Sequence, residues 1–204
     1  MKKVFVNGYG SIGSRITSFL KDDSEISVIG VGKYSPDEKV DVAISRGLNV
    51  YVPENKLDAF SNFKIAGTIE SALDDCDLVI DASPGGNGYK NKKNLYEPKN
   101  IPAIYQGGES ISGSESVSDL LFNSRVNYDL VSDKQHVMQG SCNVTGMGKI
   151  LEPLRNSFGE RIVRFDVTLI RRWADIEQID KKLSDTIEMT EKPHHGDDVK
   201  QYFG

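Results

Sequence analysis

Two stretches of the sequence carry residue types whose spacing could do chemistry. One is Gly8-Tyr9-Gly10-Ser11-Ile12-Gly13; the other is Ser141-Cys142-Asn143. The first has the spacing G-x-G-x-x-G, follows an apolar run and opens a helix-like stretch. In that context Gly8 permits a tight turn and Gly10 lets a pyrophosphate approach the backbone. Gly13 lets the helix pack closely on the strand. The helix N-terminus then offers free N–H groups and a partial positive charge to phosphate. Residues 8–13 are therefore expected to bind a dinucleotide.

The end of the next apolar run bears on which dinucleotide. An NAD site usually has Asp or Glu there, accepting from the ribose hydroxyls. This chain reads Val31-Gly32-Lys33-Tyr34-Ser35-Pro36, with no carboxylate before Asp37. Lys33 with Ser35 suits a 2′-phosphate, which favours NADP and leaves NAD open; the alternative is a solvated surface lysine. Two more glycine-rich turns, Ser83-Pro84-Gly85-Gly86 and Gln106-Gly107-Gly108-Glu109, fall at expected strand ends. Ligands of doubly wound sheets lie beyond such ends, so both turns either line the cofactor or are ordinary loops.

Cys142 falls between an expected strand and an expected helix. A thiol at a helix start meets N–H donors and a dipole that favour the thiolate. The neighbouring amides, with Asn143, could hold a developing oxyanion. The alternative is a small buried cysteine at a turn. Lowering a thiol pKa from about 8.5 to about 6.5 takes roughly 2.7 kcal/mol. A helix terminus supplies about 0.3–1 kcal/mol, and ~2 at most, so a nucleophile here needs a basic partner. The histidines are His136, His194 and His195. His136 reads as a packed or surface residue. His194-His195 look like the start of a helix and could bind an anion, and no Cys/His set has zinc spacing. Arg171-Arg172 are either a second anion site or a solvated basic pair. Cys76, among Asp74, Asp75 and Asp77, reads as structural, because neighbouring carboxylates raise a thiol pKa.

These residues need elements to position them. Short apolar runs predict strands over 3–7, 26–31, 49–52, 78–82, 103–106 and 136–139. Helix-like stretches over 11–21, 37–46, 69–74 and 91–97 lie between several of them. Continuous apolar strands such as Leu78-Val79-Ile80 imply burial on both faces. The alternation implies an α/β fold: a Rossmann-type, doubly wound, mostly parallel sheet over residues 1–140. The pattern then changes. A helix is expected over 143–156, and a strand over 161–173, where Val163, Phe165, Val167 and Leu169 alternate with their neighbours. Residues 141–204 thus read as the first part of an α+β catalytic domain. One strand and one helix make a small core, so this domain is expected to be incomplete or completed by a second chain.

Composition narrows the function classes. The 204 residues carry a net charge of −5, a poor match to the basic face of a nucleic-acid binder. Hydrophobic residues make up 38%, ordinary for a globular protein once the 19 glycines are added. No apolar run approaches the ~18 residues of a membrane span. Val4-Phe5-Val6 stops at Asn7-Gly8, too short for the core of a secretory signal. Two distant cysteines fit free thiols in a reducing cytoplasm.

Taken together, the motifs resemble the archaeal (class II) phosphorylating glyceraldehyde-3-phosphate dehydrogenases. The resemblance rests on residues 7–13, Ala66-Gly67-Thr68, Asp81-Ala82-Ser83-Pro84-Gly85-Gly86, Gln106-Gly107-Gly108-Glu109, Ser141-Cys142-Asn143-Val144-Thr145-Gly146, Arg171-Arg172 with Ala174-Asp175, and His194-His195-Gly196, in the family's order. It implies NAD(P)-dependent oxidation and phosphorylation of glyceraldehyde 3-phosphate to 1,3-bisphosphoglycerate, with inorganic phosphate as co-substrate. Cys142 would be the nucleophile and form a thiohemiacetal, then a thioester. Ser141 and Asn143 would flank the substrate carbonyl, and His194 and His195 would contact the substrate. Ser11, Ile12, Gly108 and Arg171 would contact the cofactor, and Lys33 stands at the position linked there to NADP use. The family further implies a cytoplasmic homotetramer of glycolysis or gluconeogenesis.

Residues 176–185 depart from the family, lacking its Gly-Pro loop. The family's general-base histidine would lie beyond residue 204, so this chain alone is expected to bind dinucleotide and to oxidise aldehyde poorly. Two other readings stand beside this one. They are another cysteine-dependent semialdehyde dehydrogenase, and a non-catalytic dinucleotide-binding module with a structural or redox-sensing Cys142.

Overall fold

A computed structural model describes residues 1–106, 108–168 and 195–203. They form two compact units: Met1–Leu121 with Asp129–Gln139, and Phe122–Tyr128 with Gly140–Gly204.

The first unit alternates strands and helices: β1 (Lys2–Asn7), α1 (Ser11–Lys21), β2 (Ile26–Gly32), α2 (Lys39–Ser45), β3 (Val50–Val52), β4 (Gly67–Thr68), α3 (Ile69–Ala72), β5 (Leu78–Asp81), α4 (Gly88–Asn91), β6 (Ala103–Tyr105), β7 (Leu121–Phe122) and β8 (His136–Gln139). The sheet order is β4-β3-β2-β1-β5-β6-β8-β7. Strand β1 pairs in parallel with both β2 and β5, so the winding direction reverses between β1 and β5. Val4, Phe5, Val6 and Val79 are fully buried, as strands covered on both faces must be. Val6, Val31, Val40, Ala43, Val50, Val52 and Phe60 pack into one core cluster.

The expected elements of this unit are present, most with ends shifted by one or two residues. The expected helix 91–97 is longer and irregular: α4 runs into a π turn over Lys92–Tyr96 and a 3-10 turn over Glu97–Lys99. Asn100, left-handed at φ 54°, ends it. Strands β4 and β7 have two residues each, too few to show a period. Helix α3 starts on a capping box, with Thr68 accepting from the Ser71 amide and Ser71 accepting from the Thr68 amide.

The second unit holds α5 (Cys142–Phe158) and α6 (His195–Lys200). Helix α5 buries Val144, Met147, Gly148 and Leu151, and α6 buries Val199. The expected strand 161–173 is not borne out where it can be checked. Residues 162–168 have no regular structure, and Val163 is 96% exposed. Alternation specifies a face, but a strand also needs a neighbour to bond to, and among the described residues none pairs with it. Residues 169–173 lie outside the described residues. No helix among the described residues is long and apolar enough to cross a membrane.

One buried polar cluster sits where the winding reverses. The Asp81 carboxylate, 4% exposed, ends β5. Its Oδ1 accepts from the Ser83 amide at 2.9 Å and the Ser83 hydroxyl at 2.6 Å. Its Oδ2 accepts from the Tyr96 hydroxyl at 2.6 Å and from Asn91 Nδ2 at 2.9 Å. Asn7, ending β1, donates to Tyr96 Oη at 2.6 Å and accepts from the Tyr34 hydroxyl at 2.9 Å. Burial first, and Asp81 next, push both tyrosines well above their ordinary pKa, so both remain protonated donors.

Removing one donor from this cluster should be costly. Tyr96→Phe leaves Asp81 and Asn7 each short of a buried partner, and is expected to lower stability by about 1–3 kcal/mol. Tyr128→Phe, at an exposed position, should change little, and urea unfolding of both variants measures the contrast. His136 gives a pH prediction. Burial, and then Lys92, hold its imidazole below the usual 6.5, against an opposing pull from Glu97. The folded state therefore binds fewer protons than the unfolded chain, and stability should fall as pH drops through about 6.5. His136→Gln should remove that part of the slope in a pH series of urea midpoints.

Candidate active site

In the first unit, the glycine turn is built by close approach. Gly8 has φ +116°, and a Cβ there would lie 2.4 Å from the Ala82 carbonyl oxygen. A Cβ on Gly13 would lie 1.8 Å from the Gly8 carbonyl oxygen, so only glycine lets α1 start this near β1. Thr17 reinforces that turn by donating to the Gly13 carbonyl at 2.7 Å. Gly10 differs: a Cβ there meets nothing within 4 Å. It is the N-cap of α1, with no side chain bonded to the helix start and no acidic residue in the first turn. Ile12 is 50% exposed beside it. An open cradle next to uncapped amides fits a pyrophosphate.

Lys33 directly follows β2, fixed by its amide donating to the Tyr51 carbonyl at 2.9 Å. Its ammonium is buried and meets Asp37, at 2.7 Å to Oδ1 and 2.8 Å to Oδ2. It is therefore not the solvated lysine of the alternative reading, nor is it a free cation.

The two other glycine-rich turns are joined. Glu109 Oε1 accepts from the Gly86 amide at 2.9 Å and the Gly88 amide at 3.1 Å. Gly108 is exposed with φ +110° and open space around it; Gly107 lies outside the described residues. Nothing local in the sequence marks Glu109 as the partner of Gly86, because the two stand 23 positions apart.

In the second unit, Cys142 is the first residue of α5 and its thiol is exposed. Ser141 caps the helix, its hydroxyl accepting from the Val144 amide at 3.3 Å. Cys142 Sγ lies 4.0 Å from Asn143 Oδ1, and Asn143 Nδ2 lies 3.4 Å from His195 Nε2. Ser141, Cys142, Asn143 and His195 are thus gathered around the start of α5. The preceding residue, Gly140, is held by Tyr202: a Cβ there would lie 2.4 Å from Tyr202 Oη. Sequence reading missed Tyr202, whose contact arises only when the chain end returns to α5. Arg171 and His194 lie outside the described residues. The cluster gathers an exposed thiol, the start of a helix and a carboxamide, residue types that can hold a carbonyl under attack.

No protein-family model matches the chain. Curated relatives do. A glyceraldehyde-3-phosphate dehydrogenase of Halobacterium salinarum is 38% identical over 209 aligned residues, covering all of this chain and 60% of that protein. One of Methanothermus fervidus is 40% identical over 207, covering 98% of this chain and 59% of that protein. Among solved structures, an aspartate semialdehyde dehydrogenase with NADP from Candida albicans aligns at 15% identity and a TM-score of 0.48. It covers 78% of this chain and 48% of that one, and is too distant to bear on function. The chain is thus similar over almost its whole length to these glyceraldehyde-3-phosphate dehydrogenases, and spans about 60% of their length.

Proposed function

We propose that this chain is the dinucleotide-binding and cysteine-bearing part of a phosphorylating, NAD(P)-dependent glyceraldehyde-3-phosphate dehydrogenase. The observation that carries the reading is the exposed Cys142 at the head of α5, with Asn143 and His195 beside it, in a chain similar throughout to dehydrogenases of that name.

Residues 1–140 bind the cofactor. Gly8 and Gly13 shape the turn, Gly10 admits the pyrophosphate, and the amides of Ser11 and Ile12 receive its charge. Lys33 meets the adenosine ribose, and Gly108 completes the contacts within these residues. The dinucleotide, when bound, supplies the hydride acceptor.

Residues 141–204 carry the chemistry on the substrate. The Cys142 thiolate attacks the aldehyde carbon of glyceraldehyde 3-phosphate, forming a C–S bond while the carbonyl π pair moves onto oxygen. The amides at the start of α5 and the Asn143 carboxamide stabilise that oxygen. Once the carbon has lost its hydride, it is a thioester. An oxygen of inorganic phosphate then attacks the same carbon, and the C–S bond breaks to return the Cys142 thiolate and release the acyl phosphate. His195, bonded to Asn143, orients that carboxamide, and His194 contacts the substrate. The working assembly is a homo-oligomer.

Two variants test the two halves. Gly10→Val places its Cβ where no described atom lies within 4 Å, at an ordinary backbone angle, φ −99°. It should lower stability by no more than about 1 kcal/mol, the cost of a poor N-cap, yet weaken NADPH and NADH binding by at least about tenfold by calorimetry. Gly13→Ala, blocked by the Gly8 carbonyl, should destabilise the fold more. For the second half, glyceraldehyde 3-phosphate should protect Cys142 from alkylation by iodoacetamide. Any phosphate-dependent rise at 340 nm should vanish in Cys142→Ser. A rise that survives that substitution, or no dinucleotide binding by the unaltered chain, overturns the reading.

A further inference from the structure

The geometry points to Asp37 as the residue that sets the balance between the two dinucleotides, by holding Lys33 in a pair that the 2′-substituent must engage. This rests on the dinucleotide reading of residues 8–13 and extends it to a residue outside the glycine turn and outside β2.

Three observations carry it. First, Lys33 stands one residue past β2, where the adenosine ribose of a bound dinucleotide meets the sheet. Second, both Asp37 oxygens face the Lys33 ammonium, at 2.7 and 2.8 Å. Asp37 is itself fixed, because its Oδ1 also accepts from the Lys39 amide at 3.0 Å and its own amide donates to the Ser35 carbonyl at 3.1 Å. Third, the two side chains are unequally covered: Lys33 is 7% exposed and Asp37 40%. A ligand arriving from solvent therefore meets the carboxylate before it meets the ammonium.

The consequence follows from charge. A ribose 2′-hydroxyl can donate to the outward Asp37 carboxylate, which is what an acidic residue does at this position in NAD sites. A 2′-phosphate is repelled by that carboxylate, and must share or displace it to reach Lys33. Lys33 alone would favour NADP and a lone carboxylate would favour NAD. The pair places one element of each in a single contact, so neither dinucleotide is strongly excluded. Asp37 thus acts as a counterweight: it weakens the 2′-phosphate complex and supports the 2′-hydroxyl complex.

The test is calorimetric binding to the full chain, with NADPH and NADH, and with 2′-AMP and 5′-AMP as fragments that lack the nicotinamide. Asp37→Asn keeps the shape and the acceptor for the Lys39 amide but removes the charge. It should tighten NADPH and 2′-AMP by roughly tenfold while NADH and 5′-AMP hold or weaken. Lys33→Met should lose most 2′-AMP binding and leave a preference for NADH. An Asp37→Asn variant that binds NADH normally with an unchanged NADPH-to-NADH ratio overturns the proposal, and leaves the dinucleotide reading standing. A chain that binds neither dinucleotide overturns both. Should Asp37→Asn lose NADH through misfolding, seen as a lowered urea midpoint, Asp37→Ser decides: an NADPH-to-NADH ratio raised severalfold supports the proposal, and an unchanged ratio defeats it.

Discussion

A buried carboxylate that, among the described residues, meets only neutral donors is the constraint on which the first unit depends. Asp81 ends β5 beside the end of β1, where the chain must leave the sheet and form its turns. Taking its charge out of water is expensive, and four donor contacts from Ser83, Asn91 and Tyr96 offset that cost. Those donors come from the turn after β5 and the helical run beyond it. Through Tyr96 the requirement reaches Asn7, and through Asn7 it reaches Tyr34, after β2. Satisfying one charge thus holds three strand ends in register. The glycine turn is built on that frame, since Gly8 directly follows Asn7 and lies against Ala82, the residue after Asp81.

The same frame separates two roles for glycine. Gly8 and Gly13 are required by the fold, because backbone atoms already occupy the places their side chains would take. At Gly10, by contrast, no described atom lies within 4 Å of where a Cβ would stand. A residue kept small where the protein itself leaves room points outward, to something that enters the room. This is the most direct physical sign of a ligand in the first unit, and it depends on geometry that a glycine triplet alone does not specify.

Much of the first unit was legible in the sequence because its signals are local. Helix α1 begins and ends where the glycine turn and the run to Lys21 indicate, and β8 matches its apolar stretch residue for residue. The strand expected at 161–173 failed over 162–168 for the opposite reason: alternation is local, whereas pairing is not. Site details divide in the same way. Cys142 at a helix start was readable from the turn before it and the helix period after it. Lys33 was readable as a cation after β2, but its pairing was not. Asp37 stands four residues on, yet the pair spans a turn through Ser35-Pro36 and not a helix, so the spacing carried no signal. Glu109, joining two glycine-rich turns, and Tyr202, closing on Gly140, are tertiary partners that no window of sequence contains.

Tyr202 packs against two glycines at once. A Cβ on Gly140 would lie 2.4 Å from its hydroxyl oxygen, and one on Gly148 would lie 2.9 Å from its ring. The ring therefore fills the two gaps that the absent side chains leave, one just before Cys142 and one a turn and a half into α5. Neither glycine can enlarge while the ring stays, and the ring cannot shrink without opening both gaps. Tyr202 is not their only constraint, since a Cβ on Gly148 would also lie 2.7 Å from Asn123 Nδ2 and one on Gly140 2.9 Å from Val144 Cγ1; a small residue at 202 would therefore not by itself admit alanine at 140 or 148.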